Sequence, residues 1–463
     1  MFHFRKMRWL CSWLLISFCV PSAAQQPVLT LKELLIHVDR NAPSLVADSA
    51  AIRIRQAQEV ATRGNSLPSL KVNYQVNAGT NNNMPGGYFS YGIVPGNSRV
   101  RIEDNASTAL GDLGIAAFDW EVYNFGAYEA QRMVASSDLH VEQARFGQSR
   151  YEWHAYTIEN YLQLLRLNEL VKIQLQTIQR NTEIRRSIQA QAKSGIIAGV
   201  DTSIAVAELS RARLNYLELS NQYRQIQLGL SAISGLTPDL LVPDTALAAK
   251  LILFNKTVSI QETDTAHHPN IELYKSMYRN SLDKERLVRK SYSPKISLQG
   301  AVWGRGSSIS ASDEFRSLNK GLGFERGNYL VGVGITYNVF DFKRRHMQLS
   351  VQEASTEYAK RKLDEQRSLL VLGINKTDAD LQTALQRLEE IPHLLNAAQA
   401  AYRQKFSLYR NGLTNIVELN AAQNTLYRAE IDYTNAHYLY CKVLFQKALN
   451  EHVVDEVLNN ILN

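Results

Sequence analysis

Two acids stand at matched places in this chain. Asp201 follows Gly195 by six residues, and Glu418 follows Gly412 by six residues. A glycine that stops one helix and an acid that starts the next describe a helical hairpin. In the first turn of the returning helix a carboxylate offsets the helix dipole, a contribution of about 0.3–1 kcal/mol. That role alone is enough to account for either acid. Other constellations carry less chemistry. His267-His268 has no carboxylate at ligand spacing and reads as a solvated turn beside Pro269. Gly332-Val333-Gly334 lies inside an alternating run, with no phosphate-binding helix behind it. No Gly-x-Ser-x-Gly, Cys-x-x-Cys or His-Glu-x-x-His pattern is present. The expectation is therefore no enzyme, no cofactor, no metal centre and no nucleic-acid partner.

The elements that position these residues begin with an export signal. Arg5, Lys6 and Arg8 precede a largely apolar run from Trp9 to Val20, followed by Pro21-Ser22-Ala23-Ala24. That run is too short to span a bilayer as a helix. Basic residues, a short apolar core and small residues before the break predict a secretory signal peptide over 1–24, cleaved after Ala24. Its removal lowers the formal net charge from +7 to about +4, since the segment holds three basic residues and no acid. It also removes Cys11 and Cys19, leaving Cys441 alone, so no intramolecular disulfide is expected.

The remainder is a tandem duplication. Pro43 and Pro68 are 25 residues apart, as are Pro269 and Pro294, and Phe118-Asp119 is echoed by Phe340-Asp341. Gly195, Val200, Asp201, Ala212 and Tyr216 recur 217 residues later as Gly412, Val417, Glu418, Ala429 and Tyr433. The repeats are expected at 25–235 and 266–450, with a linker at 236–265 and a tail at 451–463.

Each repeat reads helix, strand, loop, strand, very long helix, helix. The first helix lies between the two prolines. After Pro68, Leu70, Val72, Tyr74 and Val76 alternate with Lys71, Asn73, Gln75 and Asn77, a period of two that means a strand with one apolar face. After Pro294, Ile296, Leu298 and Val302 alternate with polar residues, and every odd position from Tyr329 to Val339 is Tyr, Val or Ile. Leu113–Ala117 supplies the remaining strand. Trp120, Tyr123 and Tyr337 at the strand ends suit a lipid interface as well as ordinary packing. Ala127–Ser194 contains no proline and only Gly147, so it would extend about 100 Å as a helix. Its counterpart, Lys343–Asn411, carries Pro392, where a kink is expected.

Four amphipathic strands suit an outer membrane but cannot close a barrel, and no open edge survives in lipid. Three chains would supply twelve strands. The expected fold is mixed α and β: duplicated helix–strand–strand–long helical hairpin units that form, as a trimer, a 12-stranded outer-membrane β-barrel plus a long periplasmic α-helical barrel. A soluble periplasmic coiled-coil scaffold or adaptor is the alternative, and the unpartnered apolar strand faces count against it.

Over nearly its whole mature length the sequence resembles the TolC-type outer-membrane efflux proteins. The resemblance rests on the Pro-Ser-Leu strand entries, the Phe-Asp strand exits, and the tips Lys193–Asp201 and Tyr409–Glu418. It implies a homotrimer in outer-membrane lipid that passively exports what an inner-membrane efflux pump or ABC transporter delivers through a periplasmic adaptor. It implies adaptor docking at Gly195, Ile196, Gly412 and Leu413, and a periplasmic aperture built from Glu418, Asp201 and Tyr409. Glu418 matches an aperture-lining aspartate of that family and Tyr409 its constriction tyrosine. A second family acid falls on Ala421, and the arginine that partners the tyrosine falls on Thr414. Three-fold symmetry would make each acid a ring, whose mutual repulsion should raise some carboxyl pKa values.

Overall fold

The computed structural model describes residues 29–82, 102–194, 199–247, 249–251 and 267–462. The expected signal peptide, Gly195, Ile196 and much of the linker lie outside the described residues. In chain order the elements are α1 (Leu31–Asn41), α2 (Pro43–Arg63), β1 (Ser69–Thr80), β2 (Thr108–Tyr123), α3 (Ala127–Lys193), α4 (Gly199–Ser234), α5 (Pro269–Ser291), β3 (Lys295–Ser307), β4 (Arg326–Thr336), α6 (Asp341–Arg410), α7 (Ile416–Asn450) and α8 (Val454–Leu462). The duplicated helix, strand, strand, long helix, helix order is present. α6 continues through Pro392 without interruption. Two helices lie outside the sequence expectation. α1 opens with a reciprocal capping box in which Thr30 accepts from Glu33 N and Glu33 accepts from Thr30 N. α8 occupies most of the segment read as a tail.

The chain divides into two compact units, each drawing on both repeats: one holds Met1–Val46, Arg150–Thr263 and Gly373–Asn463, the other Ala47–Ser149 and Asp264–Leu372. The second unit contains an antiparallel sheet in the order β1-β2-β3-β4. Its register lines up Leu70, Phe118, Gly300 and Val331 in one row and Val72, Ala116, Val302 and Tyr329 in the next. These rows share one face, and Val72, Tyr329, Val331, Val333 and Ile335 are each 71–81% exposed there. The other face carries Ser69, Asp119, Gln299 and Gly332 in one row, with Gln299 donating to Asp119 at 3.0 Å. Gly332 and Gly334 thus sit on the polar face. β4 ends at Thr336, short of the alternation that runs to Val339. Asn338 explains the stop: its side chain accepts from Phe340 N and its carbonyl from Asp341 N, a local turn that leads into α6.

At the loop end of the sheet, the segment before β4 folds back over the strands. The Phe324 ring lies over Gly114 and Gly304, which are cross-strand partners, and meets Tyr74 edge-on with centroids 6.0 Å apart. Beneath it Asp112 is buried, accepting from Gly306 N at 2.6 Å and from the Tyr74 hydroxyl at 3.2 Å. His268 corrects the solvated-turn reading. It is 2% exposed and caps α5, its ring nitrogen accepting from Asn270 N.

In the first unit α1 packs Leu31, Leu34, Leu35 and Val38 inward. The buried Tyr161 of α3 donates to Leu29 O at 2.7 Å and accepts from Asp244 N at 2.8 Å. One side chain thereby ties the start of α1 and the inter-repeat segment to the long helix. Arg150 and His154, one turn apart on α3, both reach Asp39 of α1.

Candidate functional site: the hairpin tip

The tip is built by a helix that stops at Arg410 and a helix that starts at Ile416. α6 ends in a Schellman motif, with Gly412 N donating to Tyr409 O, Leu413 N donating to Leu408 O, and Gly412 at φ +72°. Asn415 then caps α7, its side chain accepting from Glu418 N at 3.0 Å. Leu413 is left 72% exposed at the apex, and Val417 beside it is 64% exposed.

Behind the apex, four helices meet in one apolar cluster. Ile184 and Ile188 come from α3, Ala205 from α4, Tyr409 from α6, and Ile416 and Leu419 from α7. Tyr402 and Phe406 pack against it, their rings stacked at 5.9 Å. Both hairpins therefore share one core at this end. Tyr409 is part of that core and does not line a surface of this chain, being 5% exposed. Its hydroxyl has no hydrogen-bond partner among the described residues. Burial first, and then the Asp201 charge, raise its pKa. Asp201 stands in the first turn of α4, half-buried.

Glu418 is held in place. Its Oε2 lies 2.6 Å from Lys405 Nζ and accepts from the Thr414 hydroxyl at 2.8 Å. The hydrogen bond from Lys405, then that from Thr414, lower the Glu418 pKa. Within one chain the shift thus runs opposite to that expected of a bare carboxylate ring. Thr414, where the resemblance implies an arginine, serves the acid as a neutral donor, and the cation arrives from α6. Lys405 has no counterpart in the sequence reading. It stands 13 residues before Glu418, and only the closed hairpin brings the two together. Gly412 and Leu413 sit at the apex, whereas Gly195 and Ile196 lie outside the described residues.

Further up the hairpins, polar side chains join α3, α4 and α7. Gln174 donates to Ala212 O, Asn181 to Glu208 O, and Gln423 to Asn181. Gln174 and Gln423, whose side-chain oxygens remain unpaired among the described residues, are among the residues lining a cavity of about 70 Å³, a polar space suited to water. No cluster of metal-ligating side chains occurs among the described residues. None of the described helices is long and apolar enough to cross a membrane.

The sequence matches the outer membrane efflux protein family over residues 36–236 and 248–442. No curated protein matches it. Among solved structures it is similar to the outer membrane protein VceC from Vibrio cholerae, at 14% identity and TM-score 0.70, with 91% of this chain and 95% of that one covered. It is similar to the Campylobacter jejuni outer membrane channel CmeC, at 13% identity and TM-score 0.71, covering 93% and 89%. The open state of the Neisseria gonorrhoeae MtrE outer membrane channel aligns at 16% identity and TM-score 0.66, covering 92% and 89%. At these identities the likeness is one of fold.

Proposed function

From the premise that this chain belongs to the outer membrane efflux protein family, we propose that it is a trimeric exit duct for substrates delivered by an inner-membrane pump through a periplasmic adaptor. The observation that carries the reading is the open sheet. β1 and β4 are both edges, and both present exposed apolar side chains, from Leu70 and Val72 to Val333 and Ile335. A soluble protein would cover or charge such edges. In lipid an apolar face is an asset, but free edges are not tolerated. Twelve strands from three copies satisfy both demands.

The hairpin tips supply the rest. The exposed Leu413 and Val417 suit docking to an apolar adaptor surface, with Gly412 shaping the apex and Gly195 and Ile196 as the matching positions in the other hairpin. Glu418 and Asp201 form the periplasmic mouth, with Tyr409 packed behind them. Passage is passive in this reading, the work being done by the pump. The cargo is set by the pump, whether a proton-driven exporter or an ABC transporter.

The test is light scattering of the detergent-purified protein together with conductance in a planar bilayer. A trimer mass with discrete conductance steps is the expected result. A stable monomer in detergent, or recovery of the mature protein in the soluble periplasmic fraction, would overturn it in favour of a periplasmic scaffold.

A further inference from the structure

We propose that Lys405 sets the charge of the periplasmic mouth by neutralising Glu418 within the same chain. The inference rests on the exit-duct reading and adds a residue to it that decides ion preference.

The geometry is specific. Lys405 projects from the last turns of α6 across the stop at Gly412, and its ammonium meets Glu418 Oε2 at 2.6 Å. The Thr414 hydroxyl binds the same oxygen at 2.8 Å, while Asn415 fixes the backbone of Glu418 at 3.0 Å. Two side-chain donors and one backbone anchor hold the carboxylate back against α6. The pair is nevertheless exposed, at 40% for the lysine side chain and 50% for the glutamate. Exposed pairs of this kind contribute little to stability, so the consequence of the lysine is local charge. Asp201, the other acid of the tip, forms no ion pair among the described residues. Lys193 and Arg410 close the preceding helices. A tip that the two acids alone would make strongly negative is thereby balanced, with the balance at Glu418 supplied by one side chain from the neighbouring helix. Around a three-fold axis the pairing repeats three times. A mouth of that composition passes anions and cations with little bias, whereas a ring of free carboxylates would concentrate cations.

The experiment is the reversal potential across a potassium chloride gradient, measured on bilayers holding the full-length protein. Relative to the wild type, Lys405→Met should raise the cation-to-anion permeability ratio at least twofold, and Glu418→Gln should lower it. The double variant should return to the wild-type ratio, and Lys405→Arg should keep it. If Lys405→Met conducts with an unchanged ratio, the pair is only a staple of the turn and the proposal falls. Shifts of the same sign in both single variants would overturn it as well. A wild-type protein that forms no conducting channel would instead refute the exit-duct reading, and the role of Lys405 with it.

Discussion

Arg180 of α3 grips Glu430 of α7 with two nitrogens, at 2.8 and 2.7 Å to the two carboxylate oxygens. The side chains are 18% and 13% exposed, so this two-pronged pair joins the first repeat to the second away from bulk water. Breaking one side of such a pair leaves an uncompensated charge, at a cost of roughly 3 kcal/mol. Glu430→Gln should therefore lower the apparent melting temperature, followed by helical circular dichroism in detergent. Arg180→Met combined with Glu430→Leu should recover most of the loss, because an apolar pair of similar bulk removes both charges together. Equal loss in the single and double variants would mean that packing, not charge, joins the helices here.

A second prediction concerns acid. Burial alone would raise the Asp39 pKa, but the hydrogen bonds and charges of His154 and Arg150 outweigh it and hold the carboxyl at about 2. An aspartate depressed in the folded state contributes stability above its unfolded pKa, near 4, and loses it as the pH falls toward 2. The contribution is about 2 kcal/mol at neutral pH. Melting curves taken from pH 5 to pH 2 should show a falling limb that is flatter in Asp39→Asn. An identical limb in both proteins would place the acid sensitivity elsewhere.

How much of this was legible in the sequence depends on the range of the signal. The strands announced themselves through a period of two, and α3 through a long run with no proline and a single glycine. Both are local patterns repeated over many residues. α1 was equally local, written in Thr30 and Glu33, yet the pattern is only four residues long. α8 follows His452, which has φ +58°, and nine residues give little periodicity to read. The site divides the same way. The tip glycine and the acid six residues later were visible as spacing. The partnership of Lys405 with Glu418 was not, because it forms across a turn and no spacing rule joins the two positions. The burial of Tyr409 depends on α3, α4 and α7 all arriving at the same place, which one segment cannot reveal.

Cys441, the one free cysteine among the described residues, supplies a reporter. It is 2% exposed in α7, and burial pushes its thiol up to about 12. A thiol that is both shielded and protonated reacts slowly. In the folded protein a maleimide at pH 7 should leave Cys441 unmodified over the time that labels it fully in denaturant, as read by intact mass. Fast labelling under native conditions would mean that α7 opens locally in this region.

Two glycines should fail in different ways when replaced by alanine. Gly412 has open space around its missing Cβ, but its φ is +72°. Gly412→Ala therefore costs only backbone strain, about 1 kcal/mol, and Gly412→Asn should cost less. Hydrogen exchange should quicken at the amides of Gly412 and Leu413, which close the Schellman motif, with little change in the rest of the chain. Gly306 presents the converse case. A Cβ there would stand 1.9 Å from the Gly323 carbonyl oxygen, so the obstacle is backbone and cannot rotate aside. Gly306→Ala must push the folded-back segment off the sheet, loosening Phe324 from Gly114 and Gly304 and breaking the bond from Gly306 N to Asp112. Limited proteolysis should then cut between Ser308 and Glu325 in the variant and spare the wild type. Resistance equal to the wild type would show that the segment can shift without leaving the strands.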